Sequence, residues 1–476
     1  MVTFFLSIVL LISGYFLYGK LVERIFGMQP DRPTPAYEFT DGVDYVPMSW
    51  WRVFLIHIIN IAGIGPIFGA IMGAMYGPAA FLWIVFGSIF GGAVHDYFSG
   101  MLSVRNKGMS IPEIVGKYMG VSFKQFMRAF TLILLVLVGT VFVAAPAQLL
   151  ANLTPDYLDF KLWGIIIFVY YIIATLLPID KIIGKLYPVF GFVMLFMAVS
   201  IGIVMIWNGA PIPEAVPANL HNMHHNSETF PIFPMLFISI ACGAISGFHA
   251  TQSPLMARCL KNEREGRRVF YGAMIAEAVI ALIWAAAAMS FFDSTGGLQE
   301  FLKANDNNAA VVVDKIAYTW LGAWGGLLAI IGVIIAPISS GDTAFRATRL
   351  IIADFINSNQ KKLWRRIIIA TPLFVVAFVL LQINFDIIWR YFAWANQTLA
   401  MITLWTATIY LAHKRKFYWI ALIPALVMTM VTSTYIVVAP EMLQLPVNYG
   451  YPIGAVCTIA AWVVFMWWNQ FISKKK

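Results

Sequence analysis

The sequence predicts an all-α, multi-pass membrane protein of about thirteen transmembrane helices. Two five-helix repeats of opposite orientation carry one helix before them and two after. Three observations predict this. Of 476 residues, 60% are apolar and only 12% charged, with a mean hydropathy of +0.78, which leaves too little polar surface to wrap a soluble core. Apolar stretches long enough to cross a bilayer recur along the whole chain. Two of them are interrupted alike: VFLIHIINIAGIGPIFGAIMGAMYG by Gly63, Gly65 and Pro66, and PMLFISIACGAISGFHATQSPLMARC by Gly243, Ser246, Gly247 and Pro254.

The stretches cover residues 3–20, 52–76, 79–101, 127–151, 163–180, 186–208, 231–257, 269–292, 320–341, 367–384, 388–412, 418–439 and 451–472, numbered here spans 0 to 12. All of the 32 Lys and Arg except Lys161, Lys303, Lys315 and Arg390 lie in or beside alternate connections, those after the even-numbered spans, and in the tail. By the positive-inside rule this places the C-terminus in the cytoplasm and the N-terminus outside. The net charge of +9 therefore reports topology, and no nucleic-acid partner is expected. No basic residue precedes the first apolar run, while Lys20 and Arg24 follow it, so residues 1–51 read as an outside-in anchor helix and a cytoplasmic loop, not a cleaved signal. Cys242, Cys259 and Cys457 show no pairing pattern.

Backbone groups in hydrocarbon must be hydrogen-bonded, so an unwound stretch survives only where it is buried in protein or lines a cavity. Residues 52–208 and 231–412 each begin with a broken span and each hold five spans, which inverts the second relative to the first, as in many secondary carriers. A loop at 209–230, rich in Pro and His and free of Lys and Arg, joins them, and 413–476 add two helices. Residues 110–120, with Ser110 as cap and Pro112 in the first turn, read as an interfacial helix. The chain has no GxxxxGK[ST] string and none of its seven histidines opens an HExxH motif, which argues against an ATP-driven pump and against an enzyme. A channel and a nutrient sensor without flux are the rival classes.

The strings HIINIAGIGPIFGAIMGAMYG followed by Pro78, GGAVHDYFSG, ACGAISGFHA running to YGAMIAEA, DTAFRATR and ANQTLA together resemble the carbon starvation protein A (CstA) family. The resemblance implies a LeuT-like carrier of the amino acid/polyamine/organocation superfamily in a bacterial cytoplasmic membrane. It also implies uptake of short peptides or, in some members, of pyruvate. After GFHA this chain reads TQSP, where longer members carry a different polar run, so the substrate is not transferred from one member to another.

The breaks supply the candidate substrate site: Gly63, Gly65, Pro66, Ser246, Gly247, His249, Thr251 and Ser253, with Asn396 and Gln397 of span 10 as interhelical hydrogen-bonders that also line it. New half-helices are expected to start at Pro66 and, with Ser253 as cap, at Pro254, aiming two positive helix ends at a substrate carboxylate. Ionisable residues within spans mark coupling or gating: His57, His95, Asp96, Glu277, Asp342 and Arg346, the last two sharing a face with Arg349. His95 and Asp96 also suit snorkelling at a span end. Ser339 and Ser340, beside Pro337, together with carbonyls of Ala62 and Ile64, offer oxygen ligands for Na⁺ or another cation, as the resemblance implies. The lysine that replaces this cation in some proton-coupled relatives has only Lys185, at the entrance of span 5, as its counterpart. His221, His224 and His225 have metal-friendly chemistry but irregular spacing. The expected activity is secondary transport coupled to H⁺ or Na⁺, without an organic cofactor; the sequence does not give an oligomeric state.

Overall fold

In the computed structural model the described residues are all except 177–182, 306, 357, 359–361, 383–384 and 475–476. Among them the secondary structure is helical, apart from one bridge between Met48 and Leu260. Among the described residues nine helices are long and apolar enough to cross a membrane, and a tenth span is the pair Trp50–Ala62 and Gly65–Ala74, bent by 55°. The expected thirteen are not all met in this form. Span 4 is the 17-residue helix Phe160–Leu176, and its expected end, 177–180, lies outside the described residues, as does 383–384 of span 9. Span 6 consists of short pieces on either side of its break. Span 10 is a helix, Phe385–His413, with Arg390, Asn396 and Gln397 among its apolar residues.

Three helices matter most below: α1 (Trp50–Ala62), α2 (Ala93–Arg105) and α3 (Gly247–Ala257). Two more are α4 (Gly272–Phe291) and α5 (Ala309–Phe355). α1 ends because Gly63 adopts φ 50° and ψ −135°, a conformation that side-chain-bearing residues avoid; a Cβ there would also lie 2.6 Å from the Phe142 ring. The chain resumes as a wide turn from Gly65 to Gly69 with Pro66 in its opening positions, where a missing N–H is harmless.

The two breaks lie against each other. A Cβ on Gly69 would sit 2.7 Å from the Ser239 carbonyl oxygen, and one on Gly65 2.4 Å from Cys242 Sγ. Small residues thus permit backbone-to-backbone approach at the centre of the bundle.

The loops sort onto two faces. On one, Glu263 accepts from Gln29 N–H at 2.7 Å and from Arg105 at 2.9 Å, Arg105 also reaches the Gly27 carbonyl at 2.6 Å, and Lys416 reaches the Phe26 carbonyl. On the other, Glu214 of the 209–230 loop accepts the N–H groups of Val2 and Thr3 at 2.8 and 2.7 Å. The basic connections gathered on the first face are those that the charge pattern groups together.

Candidate functional site

The break in span 6 runs from Ile240 (φ −94°, ψ 67°) to Ser246 (φ −142°, ψ 124°); the Ala241 carbonyl accepts from the N–H groups of Ala244 and Ile245, and several other freed backbone groups have side-chain partners. Trp83 Nε1 donates to the Ile240 carbonyl at 3.1 Å, Ser88 Oγ to Gly243 at 3.1 Å and Gln397 Nε2 to Ile245 at 3.0 Å. Asn396 Oδ1 accepts from Phe248 N–H at 2.6 Å and from Ser246 Oγ at 3.1 Å. Asn396 and Gln397 therefore satisfy the unwound backbone, the condition for non-helical chain at membrane depth. Gly247 is needed here because a Cβ would lie 2.3 Å from the Asn396 carbonyl oxygen.

One expectation is corrected. The second half-helix of span 6 starts at Gly247, with Ser246 at its N-cap position, and not at Pro254. Ser253 and Pro254 lie inside α3, where Ser253 Oγ donates to the His249 carbonyl at 2.9 Å. Thr251 likewise turns to its own helix, donating to the Phe248 carbonyl at 2.7 Å. The string GAISG unwinds although its two glycines together cost a helix less than one interior proline does, and Pro254 is carried inside α3, so tertiary contacts and not local propensity place the start of this half-helix.

Beside the break stands a fully buried cluster drawn from three helices. His95 Nδ1 lies 2.8 Å from Asp96 Oδ1, His249 Nδ1 lies 2.9 Å from Asp96 Oδ2, and His249 Nε2 lies 3.4 Å from Glu277 Oε2. All four side chains are 0% exposed, which overturns snorkelling for His95 and Asp96. α2 delivers the Asp96 carboxylate, α3 places His249 in its first turn, and α4 supplies Glu277 from the opposite side. His57, also buried, packs edge-on against Phe270 at 5.2 Å, and neither of its ring nitrogens has a hydrogen-bond partner. Cys242 Sγ, a His249 nitrogen and a Glu277 oxygen all lie within 4.8 Å of one another, so this corner could also hold a single metal ion.

The serines of α5 meet span 1 one turn before its break. Ser340 Oγ donates to the Ile59 carbonyl at 2.9 Å, and Ser339 Oγ to Ala336 of its own helix at 2.8 Å. The Ile64 carbonyl, expected as a free ligand, instead accepts from the N–H groups of Ile67 and Phe68 at 3.1 and 2.8 Å, because the chain recoils into a helical turn directly after Gly63. Ala62 is buried at the end of α1. Asp342 accepts from Tyr187 Oη at 2.6 Å, and Arg346 donates to the Ala174 carbonyl at 2.6 Å. These contacts tie α5 to spans 4 and 5. The loop histidines have separate partners: the His221 ring at the Ala218 carbonyl, His224 Nδ1 accepting from Asn226 N–H, and His225 at Gln299.

A cavity of about 650 Å³ opens on the face of the 209–230 loop. Its walls include Tyr76, Gln148, His224, Ser239, Arg390 and Glu441. Ser239 lies immediately before the break, so the cavity reaches the unwound segment on one side. None of the expected substrate residues lines it, and the signal that could have found it was Arg390, a basic residue on the wrong side of the charge pattern.

A family model described as carbon starvation protein CstA matches residues 1–157, 156–321 and 290–435. An uncharacterized membrane protein of Haemophilus influenzae is 47% identical over 351 residues, covering 64% of this chain and 95% of that protein. The peptide transporter CstA of Campylobacter jejuni is 26% identical, covering 89% and 77% of the two chains, and that of Bacillus subtilis 25%, covering 88% and 87%. Among solved structures, MhsT in complex with L-phenylalanine superposes with a TM-score of 0.60 at 14% identity, over 81% of this chain and 99% of MhsT. That likeness is one of fold.

Proposed function

The chain belongs to the carbon starvation protein CstA family and is a membrane transporter, and on that premise we propose that it is a secondary active carrier importing short peptides, or pyruvate, in symport with a proton. The observation that carries this reading is the buried Asp96–His249–Glu277 array beside the span 6 break. Ionisable groups at membrane depth are costly and mark ion or proton paths. As an imidazolium His249 balances one carboxylate, and one further proton balances the second, so the array can carry one exchangeable proton without stranding a buried charge.

The cavity on the 209–230 face gives the substrate an entrance that ends at the break. Movement of the half-helices against their neighbours would close that entrance and open the opposite face, carrying the proton site with it. Sodium is the less favoured partner because the Ile64 carbonyl, one of its expected ligands, is already engaged by the N–H groups of Ile67 and Phe68. The membrane is read as the bacterial cytoplasmic membrane, with the cavity facing outward. Counterflow in proteoliposomes with dipeptides and with pyruvate, under separate proton and sodium gradients, tests the reading. Exchange and proton-driven accumulation are expected; substrate binding without flux would identify a sensor, and sodium-driven accumulation would reassign the ion.

A further inference from the structure

We infer that the cavity on the 209–230 face is a reception site for zwitterionic peptides, with Arg390 taking the terminal carboxylate and Glu441 the terminal ammonium. The inference rests on the carrier reading above and narrows its substrate to peptides over monocarboxylates. Three observations carry it.

Among the described residues Arg390 is the only Lys or Arg in the cavity wall. Among the described residues it makes no hydrogen bond or ion pair, and its Nε is buried without a partner. A guanidinium offers five N–H donors in a planar fork that matches a carboxylate. Leaving such a group partly desolvated and unpaired is costly, and an anionic ligand removes that cost.

Among the described residues Glu441 is the only carboxylate in the same wall, and it is fixed in place. Its Oε1 accepts from the Tyr435 hydroxyl, and its backbone carbonyl accepts from Tyr391 Oη at 3.2 Å. Its second carboxylate oxygen remains available to an ammonium group.

Size and lining complete the argument. About 650 Å³ falls in the middle of the range of roughly 300–1,000 Å³ typical of small-molecule sites, whereas pyruvate has six non-hydrogen atoms and no cationic end for Glu441. The remaining wall is apolar and adaptable, with Phe68, Met72, Met75 and Trp389, and suits varied peptide side chains because methionine repacks readily.

The test is calorimetric titration of the full-length protein in nanodiscs with dialanine, dialanine amide, N-acetyl-dialanine and pyruvate, beside counterflow of dialanine in proteoliposomes. Dialanine should bind, and blocking either terminus should weaken it roughly tenfold to a hundredfold, the value of one charge-assisted contact. Arg390→Gln should abolish the preference for free acid over amide, Arg390→Lys should restore part of it, and Glu441→Gln should abolish the preference for free amine over acetylated amine. Equal binding of acid and amide, unchanged discrimination in Arg390→Gln, pyruvate binding as tightly as dialanine, or no binding at all would each overturn the inference. If wild type and Arg390→Gln exchange dialanine equally, the reception site fails and the carrier stands. If dialanine binds with the expected discrimination but neither it nor pyruvate is exchanged, the carrier fails and the site stands.

Discussion

Asn396 Oδ1 accepts the backbone N–H of Phe248 at 2.6 Å, so a side chain of span 10 caps the half-helix that carries His249. A substrate carboxylate approaching that helix end meets a donor already in use. The charge-assisted recognition expected at the break is therefore better supplied by a cation elsewhere, and Arg390 stands in the adjoining cavity. The break itself is a structural joint in which the Ile240, Gly243 and Ile245 carbonyls and the Phe248 N–H are satisfied from spans 2 and 10.

Asn396→Ala should leave Phe248 N–H and Ser246 Oγ without their acceptor and cost about 1–3 kcal/mol. Thermal unfolding in detergent should show a lowered midpoint, with Asn396→Asp, which keeps the acceptor, closer to wild type. An unshifted midpoint in Asn396→Ala would mean that the joint is not held by this bond.

How much of this was legible in the sequence differs from residue to residue. The break in span 1 was readable because Gly63 and Pro66 act locally, through φ and a missing N–H. In span 6 the proline misled: the half-helix starts at Gly247, where the Phe248 N–H is capped by Asn396 from 148 residues away in sequence, which no local rule contains. His249 and Glu277 were visible as isolated polar residues in apolar runs. Their meeting with Asp96 was not, since it depends on how three helices pack, and for the same reason His95 and Asp96 passed for span-end residues. The Ser339 and Ser340 pair was located against the correct helix, but the hydroxyl directions, set by the free Ile59 carbonyl, are a tertiary detail.

The hydroxyl directions lead to a prediction. A Ser339→Ala, Ser340→Ala double variant should keep the ion dependence of uptake and lose only stability, because the Ile64 carbonyl that would complete a cation site with them is engaged by its own chain and Ser340 serves as a donor that ties α5 to span 1. Uptake at varied sodium and fixed pH checks this. A large loss of sodium-dependent uptake at unchanged expression would place a cation there after all.

His224, in the 209–230 loop outside the spans, gives a pH prediction. Burial, with the neighbouring His225 adding to it, pushes its ring down from 6.5 to about 4. The folded loop thus favours the neutral ring, whose Nδ1 accepts from Asn226 N–H at 3.2 Å. Stability from this contact is complete above pH 6.5 and is lost as pH falls toward 4, because the unfolded loop binds the proton first. Hydrogen exchange of residues 209–230 should accelerate over that window in wild type and change less in His224→Phe; equal acceleration in both would show that another group governs the loop.

The charge pattern and the two loop faces predict sidedness. Single cysteines in the 209–230 loop should react with an impermeant reagent from outside, and cysteines beside Lys362 only from inside. Reversed labelling would invert the topology and place the cavity on the cytoplasmic face.

The proposed proton site makes the sharpest prediction, because loss of coupling and loss of binding have different signatures. Glu277 is fully buried and 3.4 Å from His249, and neither of its oxygens has another hydrogen-bond partner. Glu277→Gln preserves shape and removes the exchangeable proton. Accumulation driven by a pH gradient should fall to background while substrate counterflow, which needs no net proton movement, persists. His249→Ala should abolish both, since it leaves Asp96 and Glu277 as two buried carboxylates with no cation between them, whereas His249→Gln should retain partial counterflow with an altered pH profile. The comparison uses one batch of proteoliposomes assayed both ways. Gradient-driven accumulation at the wild-type level in Glu277→Gln would remove this carboxylate from the coupling path and leave the His249 contact as packing of the break.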